Sequence, residues 1–314
     1  MLKQFRVALS TRHLFRNWLS AAIKYLLIKR GLANDPVMVR CGGSVHGLSP
    51  DIYSFIVNNY YDGNINDVHC FSSRINLRYK DIPLAVIPPN FIEFSYSNKS
   101  IRLTGPISFI DDALFENFLG GAYDDVDVNG RVVVDVGAGI GDTAILFALR
   151  GAERVIAIEP YPSLYEKALM NVRINGLEDK VILLNAAVSS TDGFTYAPAH
   201  DIHDFRLFKP GRESSKSVMV RIRTITLKTL VREYEISNGV LKMDCEGCEY
   251  EVINSVEPET LRAFGQIIIE YHKGPEPITT ILKNLGYNIA MKPIRSTNTA
   301  IDTKGYIVAN FFEK

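Results

Sequence analysis

The sequence predicts an α/β fold: an open, mostly parallel sheet covered by helices on both faces, preceded by a smaller N-terminal extension. Beyond residue 130, apolar runs at 132–136, 154–158, 181–188, 239–245 and 267–271 alternate with helical patterns at about 142–150, 163–174, 248–256 and 277–284. The first run passes directly into a glycine-rich turn, and the runs at 154–158, 239–245 and 267–271 end in ionisable residues. In open α/β sheets those carboxyl ends are where ligands bind. Two final apolar runs, 287–291 and 306–312, flank a Ser/Thr/Asn-rich turn and form a closing hairpin.

The extension begins with Leu14, Phe15, Trp18, Leu19, Ala22, Tyr25 and Leu26 at helical spacing, with His13, Arg16, Asn17, Ser20 and Lys24 opposite. This is an amphipathic helix, too short in apolar length to span a bilayer. Its basic, Trp-bearing character suits peripheral contact of residues 13–30 with an anionic membrane surface. Packing of the apolar face on the protein's own body is the favoured alternative. From about 35 to 105, β-prone runs at 37–40, 84–87 and 91–96 are punctuated by Gly42-Gly43, Pro88-Pro89 and Ser97-Asn98, which gives a small β-rich or mixed region. Leu114, Phe115, Phe118 and Leu119 mark a short helix leading into the second domain. The division expected is 1–105 for the extension and 106–314 for the main domain.

Composition narrows the functions available. With 46% hydrophobic and 22% charged residues the 314-residue chain is globular rather than disordered or membrane-embedded. Of its 35 basic residues, seven lie in the first 34, where there is no acid, leaving 28 basic against 35 acidic in the remainder. A net-acidic body is a poor surface for phosphate backbones, so a small molecule or glycan is expected rather than nucleic acid. Four cysteines are too few for a disulfide scaffold, and a reducing cytoplasm is the expected compartment. Cys245 and Cys248 have Cys-x-x-Cys spacing, but no second pair accompanies them as a zinc site would require.

The stretch from Val132 through Asp135, Gly137, Gly139 and Gly141 to Asp142 is a buried strand, a tight turn and a helix start. Glycines there let backbone approach a ligand and present helix N–H groups to it. A nicotinamide dinucleotide fingerprint reads G-x-G-x-x-G; here Asp142 stands where the third glycine belongs. Asp135 and Asp142 would repel a pyrophosphate but suit the ammonium and sulfonium of S-adenosylmethionine. Glu159, ending the next run, sits where a carboxylate bridges ribose hydroxyls. After the third run, Asn185 and Ala186 fall beside the adenine.

The run from Val240 carries Lys242, Asp244, Glu246 and Glu249, and that from Ile267 ends in Glu270, Tyr271 and His272. Buried strands tolerate such charges where they pair or line a site. Lys242 is expected to neutralise Asp244 and Glu246. Methyl transfer to a hydroxyl needs a base, and Asp244, Glu246, Glu270 and His272 are the candidates. His200, His203 and Asp204 hint at a metal, but without a convincing third ligand no metal site is assigned. The surrounding stretch, about 191–217, reads as a hairpin or lid over the acceptor.

Together, Asp135-Val-Gly-Ala-Gly-Ile-Gly-Asp142, Ala157-Ile-Glu-Pro160, Asn185-Ala-Ala-Val188, Thr224-Ile-Thr-Leu227, Lys242-Met-Asp-Cys-Glu-Gly-Cys-Glu249 and Ile269-Glu-Tyr-His272 resemble the FkbM-type methyltransferase family over about residues 107–275. The Lys-x-Asp-x-Glu-Gly-x-Glu element is the specific part. The resemblance implies a Rossmann-like class I methyltransferase fold with a seven-stranded sheet whose final strand is antiparallel. It also implies O-methylation, often of sugars or natural-product hydroxyls, with S-adenosylmethionine as cofactor. By the same carry-over, Asp135, Gly137, Gly139 and Glu159 bind the cofactor and Asp244, Glu246 and Glu249 lie near the acceptor. Gly139 and Cys248 depart from the residues usual in the family. N-methylation of an amine and a non-catalytic nucleoside-binding scaffold are the rival readings.

Overall fold

A computed structural model describes residues 2–198, 219–293 and 304–311, which form two compact units, Met1–Asp112 and Ala113–Lys314. The first unit runs α1 (Leu2–Ser10), a 3-10 turn at Thr11–His13, α2 (Trp18–Lys29), β1 (Val37–Cys41), β2 (Ser44–Leu48), α3 (Pro50–Tyr61), β3 (Ile65–Cys70), β4 (Ile75–Tyr79), β5 (Ile82–Ile87), β6 (Phe91–Tyr96), β7 (Lys99–Leu103) and α4 (Ile107–Asp112). Strands β3 to β7 form an antiparallel meander. Three hairpins of this unit, one joining β1 to β2 and two within the meander, close on two residues of positive φ, Gly42-Gly43, Lys80-Asp81 and Ser97-Asn98, which is the turn whose twist matches paired strands.

Two elements of this unit differ from the sequence expectation. The helix expected across residues 13–26 is interrupted, because Arg16 donates its amide to the Arg40 carbonyl at 2.8 Å and Asn17 bridges Met38 and Arg40 of β1. Edge-strand hydrogen bonds thus replace helical ones. Phe15 and Ala21 are buried, while Leu19, Ile23, Leu26 and Leu27 of α2 are exposed. No helix among the described residues is long and apolar enough to cross a membrane. Helix α3 was missing from the expectation, since Ile52, Tyr53, Phe55, Ile56 and Val57 are β-prone types. Its start was legible, however: the Ser49 hydroxyl accepts from the Ile52 amide, and Pro50 occupies the first turn.

The second unit opens with a π-helical turn at Ala113–Phe118 and continues through β8 (Val132–Val136), α5 (Asp142–Leu149), β9 (Arg154–Ile158), α6 (Pro162–Ile174), β10 (Val181–Leu184), β11 (Ala187–Val188), β12 (Gly193–Pro198), β13 (Met219–Ile225), α7 (Leu227–Glu233), β14 (Gly239–Met243), α8 (Cys248–Ser255), α9 (Pro258–Arg262), β15 (Phe264–Tyr271), α10 (Ile278–Asn284), β16 (Asn288–Pro293) and β17 (Gly305–Asn310). Seven strands make one sheet in the order β10-β9-β8-β14-β15-β17-β16. All pairs from β10 to β15 are parallel, and β17 runs antiparallel between β15 and β16. This is the expected α/β sheet of seven strands, mostly parallel, with an antiparallel last strand. Val133, Val134, Val155, Ile156, Leu241, Ile267 and Ile269 are fully buried, each worth about 1.5–3 kcal/mol of apolar transfer.

The run expected as one strand over 181–188 divides in two. The Asn185 amide donates to the carbonyls of Glu159 and Pro160, turning the chain away, and β11 joins β12 and β13 in a separate three-stranded sheet. Strand β13 and helices α7 and α9 lie outside the runs expected from the sequence, while β12 falls at the start of the stretch expected as a hairpin or lid and pairs antiparallel with β13. The four cysteines, too few for a disulfide scaffold and expected in a reducing compartment, are all paired: Cys41 with Cys70 and Cys245 with Cys248.

Candidate active site

The switch point between β8 and β14 carries the site. At the end of β8 the Gly137 and Ala138 amides both donate to the Ile158 carbonyl at 3.0 Å, folding the turn back over β9. Gly137 has φ +79°, and a Cβ there would fall 1.8 Å from the Asp244 carbonyl oxygen, so β14 leaves no room for a side chain. Glu159 closes the turn from the other side. Its carboxylate accepts the Gly139 amide at 2.8 Å and the Tyr161 amide at 2.9 Å, using two of about four acceptor positions. Burial pushes its pKa up to about 8, against the pull of those two amides.

Asp135 does not open onto this turn. It is fully buried, with Oδ1 3.0 Å from the Lys242 ammonium, and its Oδ2 accepts from the Thr143 hydroxyl at 2.6 Å. Lys242 also donates to the Gly137 carbonyl at 2.9 Å. This corrects the expectation that Lys242 is the counter-ion of Asp244 and Glu246. Parallel register sets Lys242 directly across from Asp135, whereas Asp244 and Glu246 lie beyond the end of β14. Burial alone would lower the Lys242 pKa; Asp135 and Asp244 outweigh it and raise it. Asp142, at the start of α5, accepts from the Asn117 amide at 2.6 Å, and burial lifts its pKa to about 6 despite that bond.

Beyond β14 the chain makes a tight loop in which Glu246 adopts φ +57° and Gly247 φ +124°, with Cys245 and Cys248 joined across it. Left-handed backbone at a non-glycine residue costs about 1–3 kcal/mol and is held only where surroundings fix it. Here it brings Asp244 and Glu246 to His272 at the end of β15: Nε2 lies 3.8 Å from Asp244, 3.6 Å from Glu246 and 3.5 Å from Glu270. Nδ1 lies 3.5 Å from Glu249, which is fully buried and accepts the Cys245 amide at 2.8 Å. Burial works against the imidazolium, but Glu249, Glu246 and Asp244 outweigh it and raise the His272 pKa. Burial, reinforced by the Asp244 charge, pushes Glu270 up to about 8.

Asp244, Glu246, Glu270 and His272 are therefore brought together, while Asp135 and Asn185 are engaged elsewhere and Ala186 is buried. Sequence reasoning missed Asn117, Thr143, Glu116 and Tyr306; Tyr306 faces Glu270 across the β15–β17 pair and donates its hydroxyl to Glu116. Nothing local marks these residues, because each meets its partner through the fold. His200, His203 and Asp204 lie outside the described residues, as does most of the stretch read as a lid.

The methyltransferase FkbM domain model matches residues 135–289, which contain both the glycine turn and the acidic cluster. Among characterised relatives, the chain is 47% identical over 55 residues to ribosomal protein L11 methyltransferase of Carboxydothermus hydrogenoformans, covering 18% of each chain. It is 24% identical over 208 residues to methyltransferase sdnD of Sordaria araneosa, covering 55% of this chain and 80% of that one. A methyltransferase FkbM crystal structure from Methylobacillus flagellatus shares 16% identity at a TM-score of 0.39, over 58% of this chain and 44% of that one. The chain thus spans less than a fifth of the first relative and under half of the crystallised one. The glycine turn, the Glu159 clamp and the Lys-x-Asp-x-Glu-Gly-x-Glu loop all fall inside residues 135–289, the segment of this chain that matches the methyltransferase FkbM domain.

Proposed function

We propose that this methyltransferase acts on a hydroxyl oxygen of a sugar, glycan or small natural product. The observation that carries the reading is the cluster of Asp244, Glu246, Glu270 and His272 at the carboxyl ends of β14 and β15, against the glycine turn. Glu159, with acceptor capacity to spare at the mouth of the turn, fits a ribose diol. Gly137, Gly139 and Gly141 admit the cofactor, Asp142 faces its ammonium, and Asn185 and Ala186 border the adenine. Asp135 acts through Lys242 to hold the turn.

S-adenosylmethionine supplies the electrophilic methyl group. The acceptor oxygen takes the methyl carbon as the carbon–sulfur bond breaks, and its proton passes to a carboxylate. Glu270 suits that role, because burial and the Asp244 charge raise its pKa to about 8, which makes its ionised form a stronger base than an ordinary carboxylate and places its action on the alkaline side of neutrality. Positioning of the two substrates supplies the rest of the rate.

The test is transfer of a labelled methyl group from S-adenosylmethionine to sugars, glycans and hydroxylated small molecules, with an amine panel alongside. Base-stable label on the hydroxyl acceptors is expected. Label on amines alone turns the reading to N-methylation, and cofactor binding without any transfer turns it to a scaffold.

A further inference from the structure

We propose that Asp244, Glu246 and His272 form a binding site for a divalent cation, with Glu249 orienting the histidine. One ligand atom from each of the three lies within 4.8 Å of the others. His272 Nε2 is 3.8 Å from Asp244 and 3.6 Å from Glu246. Around a cation with bonds of about 2.1 Å, adjacent ligands sit about 3.0 Å apart and opposed ones about 4.2 Å. The observed 3.6 and 3.8 Å lie between those two limits, within reach of one central ion, and both are longer than a hydrogen bond.

The second observation is the imidazole itself. The His272 side chain is 8% exposed, and Nε2, the nitrogen facing Asp244 and Glu246, has no hydrogen-bond partner. Buried polar atoms without partners are rare and call for an explanation such as an ion. Nδ1 faces the buried Glu249 carboxylate at 3.5 Å, itself fixed by the Cys245 amide, while Nε2 faces Asp244 and Glu246. A carboxylate behind one nitrogen fixes the tautomer that leaves the other free to bind metal.

Charge balance agrees. Four carboxylates, Asp244, Glu246, Glu249 and Glu270, crowd one histidine, and the Lys242 ammonium beside them is taken by Asp135. Two carboxylates and one imidazole suit Mg2+ or Mn2+, and Cys245 and Cys248, bonded to each other, offer no thiolate to a softer ion. Three protein ligands leave positions open for an acceptor oxygen. That last use rests on the O-methylation reading; the binding site does not.

The experiment is titration of the full chain with Mn2+, without S-adenosylmethionine or acceptor, followed by loss of the free-ion paramagnetic signal and by calorimetry. One Mn2+ per chain is expected, displaced by Mg2+, with affinity about 10–100-fold weaker in Glu249→Gln and uptake lost in both Asp244→Asn and His272→Gln. Asp244 is partly exposed, so its variant serves if the buried histidine change prevents folding, as checked by thermal melting. No saturable uptake, or uptake unchanged in the folded variants, overturns the site. Cofactor titration run in parallel separates the two failures: cofactor without Mn2+ removes only this site, and Mn2+ without cofactor removes only the methyltransferase reading.

Discussion

Lys242 and Asp135 face each other across the β8–β14 pair, ammonium to carboxylate at 3.0 Å, with their side chains at most 2% exposed. Through the Gly137 carbonyl this pair fixes the glycine turn to the central strand.

Lys242→Met removes the ammonium and leaves Asp135 charged in a dry interior. Breaking one half of a buried pair costs about 3–5 kcal/mol. Urea unfolding should show a loss of that size, with part of it recovered in Lys242→Met/Asp135→Leu. A loss under about 1 kcal/mol would mean the pair is not structural.

Glu159 carries a pKa of about 8 in the fold, above its ordinary value, so it holds a proton at neutrality that the unfolded chain has lost. Between about 4.5 and 8 the folded state binds more protons, and this group's contribution to stability falls as pH rises through that window. Ribose hydroxyls donate to the ionised form. Calorimetry should therefore show S-adenosylmethionine binding more tightly as pH rises through 8, and a flat profile in Glu159→Gln. An identical slope in both proteins would remove Glu159 from the cofactor site.

Asn117 donates to Asp142 at 2.6 Å and opposes the effect of burial on that carboxyl. Asn117→Ala should raise the Asp142 pKa above about 6. Cofactor affinity near neutrality should then weaken by about 1 kcal/mol and recover at higher pH. Unchanged affinity across that range would leave Asp142 outside the cofactor contacts.

Glu270→Gln keeps the side chain's size and abolishes the base. Turnover should fall about 10²–10⁴-fold with S-adenosylmethionine affinity preserved. Retained turnover would pass the role to Asp244, Glu246 or His272, to be resolved by the same variants at each.

Much of this was legible from the chain alone. Alternating apolar runs gave β8, α5, β9 and α6 to within a residue, and β14 and β15 with one end displaced by two or three residues, because those strands are buried on both faces and their helices are punctuated by glycine and proline. Glycine turn, Glu159 and the acidic loop were visible because each is a local departure from the apolar pattern around it. Helix α3, built from β-prone residues, and the division of 181–188 were not, since propensity yields to capping and to the Asn185 hydrogen bonds.

By itself the sequence singled out the candidate residues: Asp135, Asp142, Glu159, Asp244, Glu246, Glu249, Glu270 and His272. Tertiary structure alone decided what each faces. Strand register assigned Lys242 to Asp135 rather than to Asp244, the left-handed turn at Glu246 carried two carboxylates to His272, and antiparallel pairing set Tyr306 opposite Glu270. Partners like these are far apart along the chain, and only the packing of strands into a sheet specifies them.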